Sequence, residues 1–265
     1  GMLVVPSCKY HLPTGDRPEW KSAEYEYTTR KLLDAYESES SGADAPMPIE
    51  KDFSPTLAGS DLATERPRIL EWLATVPLLI RSSAGDRPIR VGLKLFNALF
   101  DDEFQLEMLR AVAAASAKGP DFMVYANRLF DPTREFEGHR GIAVGGPDLS
   151  QRNLRVLAAF QRWRCDAPAA VKPLECSGTG DISSGKMAVE YLLRGCCSFQ
   201  LHTFFQLPAS EFPMRHGSKS AKALHRLYFD PDRGFIAWTL HVASRLGLSS
   251  SSCVRLVHLV DAGPS

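Results

Sequence analysis

The residues best suited to chemistry lie in one short run, Gly178-Thr179-Gly180-Asp181-Ile182-Ser183-Ser184-Gly185. An apolar stretch precedes it and a helical pattern follows. Glycine allows backbone N–H groups to come close to an anion, and a helix N-terminus adds donors of its own, so this spacing predicts a phosphate cradle. A plain βα turn uses the same glycines, and that alternative stays open. One βα unit further on, Phe199-Gln200-Leu201-His202-Thr203 reads as a strand whose last residues offer backbone amides and a hydroxyl to the same grip. Barrels often build phosphate sites from the loops after their last two strands. Neither run has the Lys-Ser/Thr ending of a nucleoside triphosphate loop, and no acidic residue stands where a dinucleotide fold needs one, so both of those classes are disfavoured.

Three further positions carry chemical potential. Lys94 interrupts the apolar strand Val91-Gly92-Leu93-Lys94-Leu95. A cation near a strand's carboxyl end is costly to bury without an anionic partner, so Lys94 is either a ligand contact at a barrel mouth or a lysine on a solvated rim. Asn127 directly follows the apolar run Phe122–Ala126, where its amide could read donors and acceptors on a ligand or simply form a turn. Gly145-Gly146 permits close backbone approach to a ligand, or is an ordinary loop pair.

The elements that must position these residues follow a βα rhythm from about Ile89 onward. Strands are expected at Arg90–Leu95, Phe122–Ala126, Gly141–Val144, Leu174–Ser177 and Ser198–Leu201, with a less regular one near Leu3–Pro6. Apolar residues at helical spacing predict helices over Glu103–Ser116, Gln151–Arg162 and Gly185–Arg194, the last with Ser183 or Ser184 as its cap. Arg66–Ile80 and Ser22–Tyr36 also have helical composition, and Lys219–Leu246 reads as helix broken at Pro231. Residues 1–88 are otherwise irregular, with a polar surface segment at Glu37–Pro48 and a short candidate strand at Pro48–Phe53. No fixed-period repeat is present, which argues against a solenoid or propeller.

Composition narrows the partners. Thirty-one basic residues balance thirty-one acidic ones among 265. No net field draws the chain to nucleic acid or an anionic membrane, so a small molecule, or a second copy in a homo-oligomer, is the expected partner. No apolar run reaches the roughly 20 residues of a membrane span, and no secretory signal pattern opens the chain, so a cytoplasmic location is expected. Gly1 ahead of Met2 reads as a remnant of tag removal. The six cysteines lack the spacing of a zinc site or disulfide framework and are expected as reduced thiols, with Cys196 and Cys197 packed.

Taken in order, the lysine-bearing strand, the Ala-Asn strand end, the Gly-Gly loop, the Gly-x-Gly-x-Ile-x-Ser-Gly turn and Gln-Leu-x-Thr resemble the second half of the dihydroorotate dehydrogenase family. The likeness covers Arg90–Phe205. Upstream, Ile49–Gly59 resembles more weakly that family's Asn-x-Ser-Ser/Cys-Pro-Asn-x-x-Gly loop. The resemblance implies a single-domain (β/α)₈ TIM barrel of the FMN-linked type over residues 1–265, irregular in its N-terminal strands, with the phosphate site in 89–205. It implies FMN as cofactor and oxidation of dihydroorotate or a related dihydropyrimidine by hydride transfer. By the same likeness Ser54 is the catalytic base, Lys94 lies near the flavin ring, and Asn127 and Thr56 bind substrate. Gly145, Gly146, Gly178, Gly180, His202 and Thr203 then surround the FMN phosphate; no metal is implied. Lys51 and Thr56 depart from the family's asparagines. That departure motivates two alternatives, a vestigial barrel without turnover and a non-flavin barrel lyase or isomerase acting on a phosphorylated metabolite.

Overall fold

The computed structural model describes residues 2–6, 62–84, 86, 90–97, 101–115, 119–144, 147–167, 174–214, 216–248 and 254–261. They fall in two compact units. The first takes in residues 1–123, 130–143 and 170–174, and the second residues 124–129, 144–169 and 175–265.

In the first unit, β1 (Met2–Pro6) pairs in parallel with β2 (Arg90–Asn97), Met2 opposite Arg90 and Pro6 opposite Lys94. The strand anticipated near Leu3–Pro6 is therefore a real sheet member. Helix α1 (Leu62–Ala84) buries Ile69, Leu73, Val76 and Ile80, a stripe at helical spacing that lies against β2. Helix α2 (Asp102–Ala114) starts where the Asp101 side chain accepts a hydrogen bond from the Phe104 N–H at 2.9 Å, and it buries Phe104, Met108, Leu109 and Val112. Gly92 has no side chain because the Phe122 ring occupies the space a Cβ would need.

The start of β3 (Phe122–Phe136) is held by a polar clamp. Arg81 bonds the Gly119 carbonyl at 2.8 Å and pairs with Asp121 at 2.9 Å, while the Asp121 carboxylate accepts the Val91 N–H at 2.8 Å. The Asp121 N–H in turn donates to the Val91 carbonyl. Strand β3 contributes residues to both units and runs ten residues beyond the Ala126 end read from the sequence. It continues through Glu137 and Gly138 into β4 (His139–Val144), its partner. Both turn residues have left-handed backbones, φ 49° and 78°, the conformation that a two-residue hairpin connection requires. Gly141–Val144 is thus the end of a hairpin rather than a separate βα strand. The apolar run that predicted a strand here was right, but such a run does not reveal the strand's partner.

In the second unit the strand order is β3, β5 (Glu175–Thr179) and β6 (Cys196–Gln200), and β5 and β6 are parallel. Helix α3 (Pro147–Asp166) buries Leu149, Asn153, Val156, Leu157 and Phe160. Between β5 and β6, α4 (Gly185–Leu192) is capped by Ser184, as expected, and buries Ala188, Val189, Tyr191 and Leu192. Register shifts by one residue at Cys197, where the strand bulges. Cys196 is consequently buried beside Cys176, their sulfurs 3.7 Å apart, whereas Cys197 is exposed. The expectation of two packed thiols holds for Cys196 alone, because neighbouring strand residues point to opposite faces. The Cys196 thiol is pushed well above its ordinary range by the bond with Cys176 and by burial, so it stays protonated.

Short α5 (Thr203–Gln206) and a 3₁₀ turn follow, then α6 (Lys219–Phe229), α7 (Phe235–Arg245) and α8 (Leu256–Asp261). The break expected at Pro231 is there, held by the Asp230 carboxylate, which accepts the N–H groups of Asp232 and Arg233. The architecture is mixed α/β with four strands in two parallel ladders. Six strands stand among the described residues, against the eight of a closed (β/α)₈ barrel.

Candidate functional site

The run singled out by its glycines forms the last residues of β5, a turn from Gly180 to Ser184, and the start of α4. Each glycine answers to a neighbour. A Cβ on Gly178 would come within 2.6 Å of the Tyr191 ring and 3.2 Å of the Cys196 sulfur, so this glycine seats the aromatic side chain. Gly180 has φ +110° and lies against Asn153, and Asp181 follows with φ +51°. Gly185 is buried where a Cβ would overlap the backbone of Gly234 and Phe235, so α4 begins pressed against the start of α7.

The turn's carbonyls point inward. Asn153, wholly buried on α3, donates its Nδ2 hydrogens to the Thr179 carbonyl at 2.9 Å and to the Tyr191 hydroxyl at 3.2 Å. The Tyr191 hydroxyl in turn reaches the Gly180 carbonyl at 2.8 Å, with the Thr179 carbonyl at 3.2 Å. Burial, above all, pushes the Tyr191 phenol above its ordinary value of 10.0; the nearby Asp181 charge adds to the effect, and the Asn153 hydrogen bond partly offsets it. In a trans peptide the N–H is antiparallel to the C=O, so the N–H groups of Gly180 and Asp181 are directed away from the buried Asn153–Tyr191 pair.

The helix end itself contributes less than its sequence suggests. Its Lys186 N–H already donates to the Arg233 carbonyl at 2.8 Å, and its Met187 N–H to the Ser184 hydroxyl at 3.2 Å. Of the groups that ordinarily receive an anion at a helix N-terminus, two are committed to protein acceptors.

The end of β6 lies alongside. Thr179 is opposite Gln200, and the Thr179 hydroxyl donates to the Gln200 carbonyl at 3.2 Å. His202 and Thr203, both exposed, then open α5. Gly178, Gly180, His202 and Thr203 are thus gathered at the neighbouring ends of two parallel strands. Lys94 is half-buried on β2 in the first unit, and Asn127 lies within β3 rather than at its end. Ser54, Thr56, Gly145 and Gly146 lie outside the described residues. Among the described residues no cluster of three His, Cys, Asp or Glu side chains is placed to hold a metal ion, and no helix is long and apolar enough to cross a membrane.

The donor set fits a phosphate on FMN in one respect and opposes it in another. The exposed Thr203 hydroxyl is a suitable donor and Gly180 allows close backbone approach, whereas the Asp181 carboxylate belongs to the same turn and repels a dianion. Sequence reading missed Asn153 and Tyr191. Asn153 could have been noticed as the one amide in the apolar stripe Leu149-Asn153-Val156-Phe160, since a polar residue on a core face must find partners.

No family model matches the chain, and no curated protein matches it. Among solved structures, the chain is similar to ligand-free DHODH from Eimeria tenella, at 12% identity and TM-score 0.45, over 74% of this chain and 51% of that one. It is also similar to DHODH in complex with ferulenol from the same organism, at 10% identity and TM-score 0.39, over 69% of this chain and 40% of that one. The chain therefore spans about half, or less, of these proteins' lengths.

Proposed function

We propose that this chain is an FMN-binding oxidoreductase of the dihydroorotate dehydrogenase type, oxidising dihydroorotate or a related dihydropyrimidine. The observation that carries the proposal is the glycine-bearing β5–α4 turn, which lies beside the end of the parallel neighbouring strand and whose Thr179 and Gly180 carbonyls are bonded to Asn153 and Tyr191. That is the kind of place where α/β proteins with parallel strands hold phosphate. When bound, FMN supplies the two-electron acceptor; the protein supplies placement and electrostatics.

In this reading Gly178 lets the β5 end pack closely, Gly180 gives the phosphate a close backbone approach, and Thr203 and His202 close the grip from the β6 side. Lys94 serves the flavin ring as a cationic neighbour, with Gly145 and Gly146 giving the backbone room near the phosphate. Asn127 and Thr56 orient the substrate, and Ser54 accepts the proton that leaves its carbon. A serine has no intrinsic basicity near neutral pH, so that last role needs a relay or a site from which water is excluded.

The test is flavin uptake. Purified protein incubated with FMN and desalted is expected to stay yellow and to quench flavin fluorescence on titration. A colourless protein that leaves the fluorescence unchanged would sink the reading. One observation favours a second reading, a barrel-derived scaffold without turnover: the Asp181 carboxylate stands in the turn that would have to receive a phosphate. Flavin bound without dihydroorotate oxidation would support this second reading over the first.

A further inference from the structure

We propose that the exposed face of α6 and α7 docks on an anionic membrane surface, its apolar side chains entering the interfacial layer and its basic side chains meeting the lipid headgroups. The side chains concerned lie outside the proposed flavin site, and the inference holds whether or not flavin binds.

Large apolar side chains are left in water mainly in one stretch. Among the described residues ten are exposed, and eight of them fall between Leu224 and Val257. Single apolar residues scattered over a surface are ordinary, whereas a concentration of this kind marks an interaction surface. On α6, Leu224 and Tyr228 stand one turn apart and are each 44% exposed, and Phe229 beside them is 60% exposed. The core uses a different stripe of the same helix, Ala223 and Leu227. The Tyr228 ring meets that of Phe235 at 5.8 Å, which joins the end of α6 to the start of α7. There Ile236 and Leu240, again one turn apart, are also exposed.

Charge identifies the occupant. The chain is neutral as a whole but not along its length: residues 219–257 hold six Lys or Arg against two Asp, a balance of +4, and the remaining 25 basic and 29 acidic residues carry −4. Asp230 is also occupied, since its carboxylate accepts the N–H groups of Asp232 and Arg233. At about 100° per residue, Lys222 and Arg226 follow Phe229 around α6, so a basic stripe borders the apolar one. Arg226 donates to the Glu211 carbonyl at 2.7 Å and keeps its charge. Aromatic and aliphatic side chains edged by Lys and Arg suit a lipid interface, where rings sit at headgroup level and long basic stems carry their charge to the phosphates. A second copy of the chain is a poorer occupant, because an isologous contact would set this basic surface against itself. A bilayer, unlike an acidic protein partner, demands no matched shape.

Co-sedimentation of the full chain with lipid vesicles tests the proposal. The wild type is expected to bind phosphatidylcholine vesicles containing phosphatidylserine about tenfold or more tightly than vesicles of phosphatidylcholine alone, and to come off as salt is raised. Two double variants divide the surface into its parts. Phe229→Ser/Leu240→Ser removes apolar contact, and Lys219→Gln/Lys222→Gln removes charge. Each is expected to weaken binding to the anionic vesicles about tenfold, and only the second to flatten the salt dependence. Equal binding to both kinds of vesicle, binding to neither, or undiminished binding by both variants overturns the proposal.

The comparison of the two vesicle types uses the wild type alone and so stands apart from variant folding. Sedimentation velocity without lipid separates the other occupant. A wild-type dimer that Phe229→Ser/Leu240→Ser dissociates, together with no vesicle binding, assigns the face to a second copy and overturns the membrane proposal. A wild type that stays monomeric without lipid and binds the anionic vesicles supports it.

Discussion

Two polar networks hold loops beside strand ends in this protein, and they solve the problem differently. In the first unit, Arg81 and Asp121 fix the approach to β3, and their side chains are 27% and 23% exposed. In the second, Asn153 and Tyr191 fix the turn after β5 with neutral groups that water does not reach. Charges are affordable where solvent still screens them, and a neutral amide and phenol suffice where it does not. The charged clamp stands where its strands begin, and the neutral one where its strand ends.

Removing the Tyr191 hydroxyl should produce the larger stability loss. Tyr191→Phe strips a buried donor from the Gly180 carbonyl and an acceptor from Asn153, and is expected to cost about 2–3 kcal/mol in urea denaturation. A loss under about 0.5 kcal/mol would mean that the turn is held by something else.

Arg81→Met should cost less, about 1–2 kcal/mol, because one charged partner is partly solvated. It should also leave the Asp121 bonds to Val91 intact. The loss is expected to shrink at high salt, unlike that of Tyr191→Phe, which makes salt dependence the sharper measure of the contrast.

Alkaline titration separates the two networks in another way. Burial raises the Tyr191 phenol above 10.0, so the folded state disfavours its ionised form. The unfolded chain releases this proton first, and the associated stability, complete below the ordinary tyrosine value, is lost as pH climbs above it. Wild-type stability should therefore fall more steeply than that of Tyr191→Phe in that range, with parallel curves counting against a buried phenol.

The smallest expected effect concerns the turn's own charge. Asp181→Asn keeps a side chain tolerant of left-handed backbone, φ +51° here, and removes repulsion toward a dianion. Stability should change by less than about 0.5 kcal/mol, while FMN affinity rises roughly threefold at low salt. Unchanged affinity would place the phosphate away from this turn.

Much of this could be read along the chain. Apolar spacing in Arg66–Ile80 and Glu103–Ser116, the Ser184 cap and the break at Pro231 are all local consequences of side-chain type, and they appear in place. The glycine run was rightly taken as a strand-to-helix turn for the same reason. The β3–β4 hairpin was less accessible, because an apolar run states that a strand is half-buried and does not name its partner.

By itself, then, the sequence determined, among the described residues, most helices, the positions of most strands and the turn after β5, since each depends on residues within a few places of one another. Only the tertiary structure decided which way the turn's peptides face. That direction depends on Asn153 and Tyr191, brought to Thr179 and Gly180 from two helices. A peptide's orientation is set by whichever partners satisfy its two polar groups, and here those for the turn's carbonyls lie 26 and 11 residues away along the chain.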